Sequence, residues 1–327
     1  MGICYTKNKL ITKQIYNTNN ELIYDGHVII KNDKYIRNGI GIEYKNNKLF
    51  YTGEWLNDIN TGFGVLYYQC GNIYFQGEFY NSQFIDGEEY YNNNDNSIKY
   101  KGKYKDNLYN DINAKLYYND GNIKFDGYMK DNNLKLGKLY NINNILIYDG
   151  EFKNNMYNNN GILYTDKYEY AGQFINGKIN GNCILSFNSK IIFKGIYLND
   201  NKIEGEEYED NKLIYKGTYK YNKYNNYGTL YDYINNTIYI GNFKSGMRHN
   251  SGKIYNLINN LLIFEGNFHE NTKHGLGKYY YNNGNILFYG NFINNIASGV
   301  CTEYDINQKI ISHGLYKDNK CIKSIEI

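Results

Sequence analysis

The sequence of 327 residues contains no proline and only two arginines, Arg37 and Arg248, against abundant Asn, Lys, Ile and Tyr. Those four are residues of AT-rich codons, so the bias speaks of the genome before it speaks of the fold. No apolar run reaches the roughly 18 residues that a membrane-spanning helix needs. The five cysteines, Cys4, Cys70, Cys183, Cys301 and Cys321, show neither metal-ligand spacing nor a C-x-x-C pair. An odd, scattered set without a secretory apolar region predicts reduced thiols in the cytosol and no metal. The formal net charge of +3 is too small to argue for nucleic acid. There is no G-x-x-x-x-G-K-[ST] phosphate loop. The five histidines, His27, His249, His269, His274 and His313, read as polar residues in or beside loops, and Glu88, Glu89, Glu206 and Glu207 as a solvated face. No nucleophile and base stand at an arguable spacing, so neither an enzyme nor a cofactor nor a small-molecule substrate is expected.

What is present is one motif, thirteen times: an aromatic, a free position, a glycine, a free position, an aromatic. Tyr51-Thr-Gly53-Glu-Trp55, Tyr148-Asp-Gly150-Glu-Phe152 and Phe264-Glu-Gly266-Asn-Phe268 are clear copies. The central glycines are Gly26, Gly53, Gly77, Gly102, Gly127, Gly150, Gly172, Gly195, Gly217, Gly241, Gly266, Gly290 and Gly314, spaced 22 to 27 residues apart. A period in the twenties running from end to end marks a repeat array whose units do not fold alone.

Residues i, i+2 and i+4 of a strand share one face. The two rings and the glycine therefore line one side, and the free positions, mostly polar, line the other. Glycine packs poorly in a strand, but between rings it leaves a gap that a ring of the next strand can cover. The remainder of each unit, such as Gly62-Phe-Gly64-Val-Leu66-Tyr67-Tyr68, reads as a return strand. Asn-rich turns lead onward, and Asp120-Gly121 and Asn283-Gly284 suit primed hairpin turns. The expectation is an all-β meander of about twenty-six strands: one elongated, solenoid-like sheet over residues 10–327, with 41 tyrosines as its structural ladder.

Residues 1–9 differ. Met1-Gly2-Ile3-Cys4-Tyr5-Thr6 fits the N-myristoylation pattern, with Gly2 as acyl acceptor once Met1 is removed. Cys4 beside it is a palmitoylation site of the usual kind, and Lys7, Lys9 and Lys13 follow before any acidic residue. One acyl chain holds a protein marginally; two chains, helped by lysines, hold it stably.

The pattern Y-x-G-x-[FWY], followed by G-x-G and an aromatic, resembles the MORN (membrane occupation and recognition nexus) repeat. Residues 264–277, with His274-Gly275-Leu-Gly277, match nearly all of it, and Tyr51 to Gly64 almost as much. Other copies depart: Ala114, Cys183 and Cys301 stand where the last glycine belongs. Turns of the Tyr279-Tyr-Tyr-Asn-Asn-Gly284 type look like a divergent branch found in bacterial and viral proteins. The resemblance implies a scaffold, dimerisation module or membrane-proximal adaptor. On these grounds the expected function is a non-enzymatic scaffold, tethered by Gly2 and Cys4 to the cytoplasmic face of a membrane and binding cortical or cytoskeletal proteins. A homodimer is compatible with it. The rival readings are an anionic phospholipid-headgroup binder and a toxin- or antitoxin-like module.

Overall fold

The computed structural model describes residues 9–326. They form 28 β-strands and no helix. The chain divides into two compact halves, one ending at Leu163 and one beginning at Tyr164. Each is an antiparallel meander in which a motif strand pairs with its own return strand and with the return strand before it. The number of strands follows from the sequence. Two per copy give twenty-six, Ile11–Tyr16 precedes the first copy, and one return strand is broken into Leu108–Tyr109 and Asp111–Tyr117.

Register places glycine against glycine. In the second half Gly195, Gly205, Gly217, Gly228, Gly241, Gly252, Gly266, Gly277 and Gly290 face one another in an unbroken row across the strands. The expectation that the next strand's ring covers each glycine is corrected here. The covering ring is the motif's own first aromatic, which leans along its strand and lies over its own glycine and the facing one. A Cβ on Gly217 would sit 2.6 Å from the Tyr215 hydroxyl and 2.7 Å from the Gly228 Cα. Beneath the Tyr215 ring only hydrogen fits in the two adjacent strands, so this copy needs glycine twice.

The seated rings are almost fully buried, from Tyr24 and Tyr51 at 1 % exposure to Phe75, Tyr148 and Phe264 at 0 %. In several copies the first ring meets the second ring of its own copy and that of the next, edge to face. Tyr51 contacts Trp55 at 5.2 Å and Phe79 at 5.3 Å; Tyr239 contacts Phe243 and Phe268, both at 5.1 Å. Such pairs add about 0.5–1.5 kcal/mol each beyond area burial. The zigzag is the core, and Tyr148, Phe152, Phe264 and Phe268 belong to it. Two first rings, Tyr170 and Phe288, are only half-buried. Opposite their glycines stand Cys183 and Cys301 instead of glycine; the Cys301 thiol lies over Gly290, and the Cys183 Cβ stands beside Gly172.

The glycine before the return-strand glycine has a separate cause. In most copies the return strand carries two extra residues after the glycine pair, so that Gly26 faces Gly41 but Val28 faces Arg37. The bulge turns on a residue in the left-handed region: Gly39 (φ 96°), Gly62 (57°), Asn159 (53°), Asn226 (56°), Asn250 (56°) or Gly275 (86°). Hence G-x-G or N-x-G. The bulge leaves the carbonyl at the motif's fourth position short of a ladder partner, and the first tyrosine's hydroxyl donates to it. Tyr24 reaches His27 O at 2.8 Å, Tyr148 reaches Glu151 O at 3.0 Å and Tyr239 reaches Asn242 O at 2.9 Å. Where the bulge is one residue shorter that position stays paired, and the first ring is Phe75, Phe125 or Phe193. The fourth position is not free either. Glu54, Gln173 and His27 side chains accept the N–H of Phe63, Asn182 and Ile40 within the bulge.

All thirteen motif strands turn into their return strands through two successive residues of positive φ, usually Asn or Asp, from Asn32-Asp33 to Asp318-Asn319. These are the primed hairpin turns. At Asp120-Gly121 and Asn283-Gly284, where such turns were expected, only the glycine has positive φ. The Gly121 N–H closes on Tyr118 O and the Gly284 N–H on Tyr281 O, as in an ordinary turn followed by a left-handed glycine. The asparagines also join repeats: Asn132, Asn155, Asn222 and Asn295 each accept a backbone N–H of the preceding hairpin at 2.7–2.8 Å. Tyr221 (φ 53°) stands in a turn position where Asn is common, and it is exposed. Replacing Tyr221 by Asn should therefore raise stability by about 0.5–1 kcal/mol, read from denaturant midpoints at constant slope.

Burial raises the pKa of many ring tyrosines, to about 12 for Tyr24, Tyr51 and Tyr239. The neutral phenol is the folded form, and in the unfolded chain it ionises near pH 10. This contribution to stability is complete below about pH 10 and is lost as pH rises through about 12. The melting temperature should hold level from neutral pH to about 9.5 and then fall. Phenolate absorbance should rise with the loss of β-sheet circular dichroism; early ionisation of all tyrosines without unfolding would contradict the burial.

Candidate functional site

The positions flanking each glycine point to the face opposite the rings, and polar and charged side chains gather there. In the second half Ile240, Lys253, Glu265, Lys278 and Tyr289 form a row across five strands by register. Lys253 Nζ lies 3.1 Å from Glu265 and Lys278 Nζ 3.8 Å from it. The Tyr280 hydroxyl donates to Glu265 at 2.5 Å, and that bond, with the lysines, holds its carboxyl below the usual range. A second row runs parallel on the far side of the glycines, with Tyr227, Ser251, Asn267 and Leu276. Between them lies a groove of about 590 Å³, floored by Gly241, Gly252, Gly266 and Gly277. Tyr227 is 62 % and Leu276 53 % exposed. The groove runs across the strands, apolar at its ends and paired in charge at its middle.

The first half repeats the plan. Lys101 pairs with Glu88 at 2.8 Å and Lys115 with Asp126 at 3.4 Å, while Ile40 and Phe63 stand exposed beside a smaller groove at Thr52, Gly53 and Glu54. Charges of both signs alternate along these rows, as in Lys216–Glu206 at 3.0 Å. The rows present neither a basic nor an acidic field.

The expectation of a solvated carboxylate face fails at Glu89. It is 6 % exposed, on the ring side of the sheet, accepting from Lys99 Nζ at 2.6 Å and Tyr109 Oη at 2.8 Å. Glu88 and Glu206 do face outward, each accepting from a tyrosine two residues on. Three histidines that the sequence leaves apart come together: His269 lies 5.1 Å from His249 and 5.7 Å from His274 between ring centres. Among the described residues no group of His, Cys, Asp and Glu has the geometry to hold a metal ion. The motif glycines lie mid-strand in the row, and Trp55 packs against Tyr24 with its indole N–H donating to Gly41 O at 3.3 Å. Gly2 and Cys4 lie outside the described residues.

The MORN repeat model matches six segments of this array: residues 51–72, 148–167, 170–190, 215–237, 239–255 and 264–286. The chain is a MORN-repeat protein. The remaining copies keep the hairpin pairing of the matched ones, although some have a shorter bulge and Val28, Met129 and Ser312 interrupt the rings. MORN repeats commonly serve as protein or membrane interaction modules, and a binding scaffold is the general role they indicate. No curated protein matches the chain. Sequence reasoning missed the groove and the histidine cluster because both depend on register across strands. The alternation of Lys and Glu one residue from successive motif glycines was the available signal.

Proposed function

We propose that this MORN protein is a non-enzymatic scaffold, fastened by acyl chains on Gly2 and Cys4 to the cytoplasmic face of a membrane, whose repeats bind cortical or cytoskeletal proteins. The observation that carries the binding role is the groove between Tyr227 and Tyr289, an open apolar-ended channel with neutralised charges. The tether rests on M-G-x-x-x-T with an adjacent cysteine and nearby lysines. The phospholipid-headgroup reading is weaker, because carboxylates stand beside Lys101, Lys216 and Lys253 on the exposed face and lower the positive field that a lipid surface would meet there.

Intact-mass measurement on protein made in a eukaryotic cell tests the tether. The wild type should lack Met1 and carry one myristoyl group plus a thioester-linked palmitoyl group released by hydroxylamine. An unmodified amino terminus would remove this reading. For the groove, Tyr227→Asp with Leu276→Asp should leave melting unchanged, since both side chains are exposed, and should abolish recruitment of the proteins retained by the wild type.

A further inference from the structure

One position on the ring face varies in an informative way. It lies on the return strand, directly opposite the motif's second aromatic, and its side chain reaches over the rings. In several copies a cation fills it. Lys202 lies opposite Tyr197, with its Nζ 4.3 Å from the centre of Phe193, 5.4 Å from that of Tyr219 and 3.6 Å from Glu207. Arg37 lies opposite Val28, 3.9 Å from the Trp55 ring and 3.4 Å from Glu43. Lys273, opposite Phe268, sits 5.2 Å from Phe264 and 5.1 Å from Tyr279. The fold thus builds a cage of aromatic rings and satisfies it with a cation of its own.

In the copy around Gly290 the same position is Ala297, opposite Phe292. The cage itself is intact. Phe288 lies 5.5 Å from Tyr316, as Phe193 lies 5.5 Å from Tyr219. Glu303 faces Phe288 in the register at which Glu207 faces Phe193. A methyl group now stands where a butylammonium chain stands in the other copy, and a recess of about 420 Å³ opens, walled by Tyr279, Phe288, Phe292, Tyr316 and Glu303. Cys301, in the seat over Gly290, leaves the Phe288 ring half-exposed at the mouth. Among the described residues the Glu303 carboxylate has no hydrogen-bond or ion-pair partner, whereas those of Glu43 and Glu207 are paired by the cations of their own copies.

We propose that this recess binds an alkylammonium group supplied from outside the chain, its charge against Glu303 and its methylene or methyl groups against the rings. Cations lie favourably over aromatic faces, more so when desolvated, and quaternary ammonium groups are held by cages of this composition. The group can be a free amine or a lysine side chain of a protein. Lys273 already occupies the neighbouring cage, so Tyr279 is the wall between a filled site and an open one.

The test is a calorimetric and ligand-observed NMR titration of the full chain with n-butylammonium, tetramethylammonium and, as neutral control, tert-butanol. A short peptide with one lysine, beside the same peptide with norleucine, separates the protein source from the free amine. The wild type should bind one ammonium per chain with a dissociation constant on the order of 1 mM, and tert-butanol should not compete. Ala297→Lys, which restores the internal cation, should abolish binding. Glu303→Gln should weaken it about tenfold, and Lys202→Ala should add a second site by emptying the equivalent cage. Should Ala297→Lys disturb folding, the other two variants carry the test. No binding by the wild type, equal binding of tert-butanol, or an unchanged constant in Glu303→Gln would overturn the proposal.

Discussion

Gly217→Val should destabilise the protein by about 3 kcal/mol, and Lys216→Val, one residue away, by less than about 0.5 kcal/mol. The first substitution puts a branched side chain where a single Cβ already lies 2.6 Å from the Tyr215 hydroxyl, 2.7 Å from the Gly228 Cα and 2.8 Å from the Tyr227 carbonyl. Two of those three neighbours are backbone of the adjacent strand, so relief requires the strands to separate or Tyr215 to leave its seat. Tyr215 is 0 % exposed and contacts Tyr219, Tyr224 and Phe243, so the ring zigzag is disturbed on both sides. Lys216 points to the other face, more than half exposed, and loses only a surface pair with Glu206 at 3.0 Å. Gly172→Val should rank lower in ring disturbance, since its facing residue is Cys183 and Tyr170 is already half out. Chemical denaturation of the three variants gives the comparison; equal costs at 216 and 217 would mean that the two faces are interchanged.

Much of this was legible in the sequence, for a physical reason. The motif has period two, so one copy assigns two rings and a glycine to a single face, and thirteen copies repeat the assignment. Strand content, hairpin order and the buried role of Tyr51, Trp55, Phe264 and Phe268 follow from that. Which ring covers which glycine did not follow, because the lean of Tyr24 over Gly26 and Gly41 depends on side-chain rotamer and register together. The hydroxyl bond from Tyr24 to His27 O depends on a bulge two residues long on another strand. Its sequence mark is present in retrospect. Gly or Asn two places before the return-strand glycine accompanies the long bulge, as at Gly62 and Asn226. The copies of Phe75, Phe125 and Phe193, with the shorter bulge, lack it.

The binding features were less legible. Glu88 and Glu89 are adjacent and chemically identical, yet one is an outward member of an ion pair and the other is buried among tyrosines. Alternation places them on opposite faces, but a run of two carboxylates gave no sign that the inner one would find Lys99 and Tyr109. Ala297 looks ordinary in sequence. Its meaning comes only from alignment by register with Lys202, Arg37 and Lys273.

Under the proposed tether, the largest functional effect is expected at the amino terminus. Gly2→Ala removes the glycine that N-myristoylation requires, and Cys4, which would be acylated only at a bilayer that the first chain reaches, would lose its chain as well. The protein should move from the membrane fraction to the cytosol almost completely. Cys4→Ala should leave one chain, which holds only marginally, and hence a protein that exchanges between the two fractions. The protein lacking residues 2–9 should behave as Gly2→Ala does. Fractionation of cells expressing wild type and Gly2→Ala, with a high-salt wash of the membranes, tests the tethered scaffold most directly. The account predicts wild type in the washed pellet and Gly2→Ala in the supernatant; Gly2→Ala retained in the washed pellet as fully as wild type would contradict it, and would assign membrane attachment to the repeats or to a partner they hold.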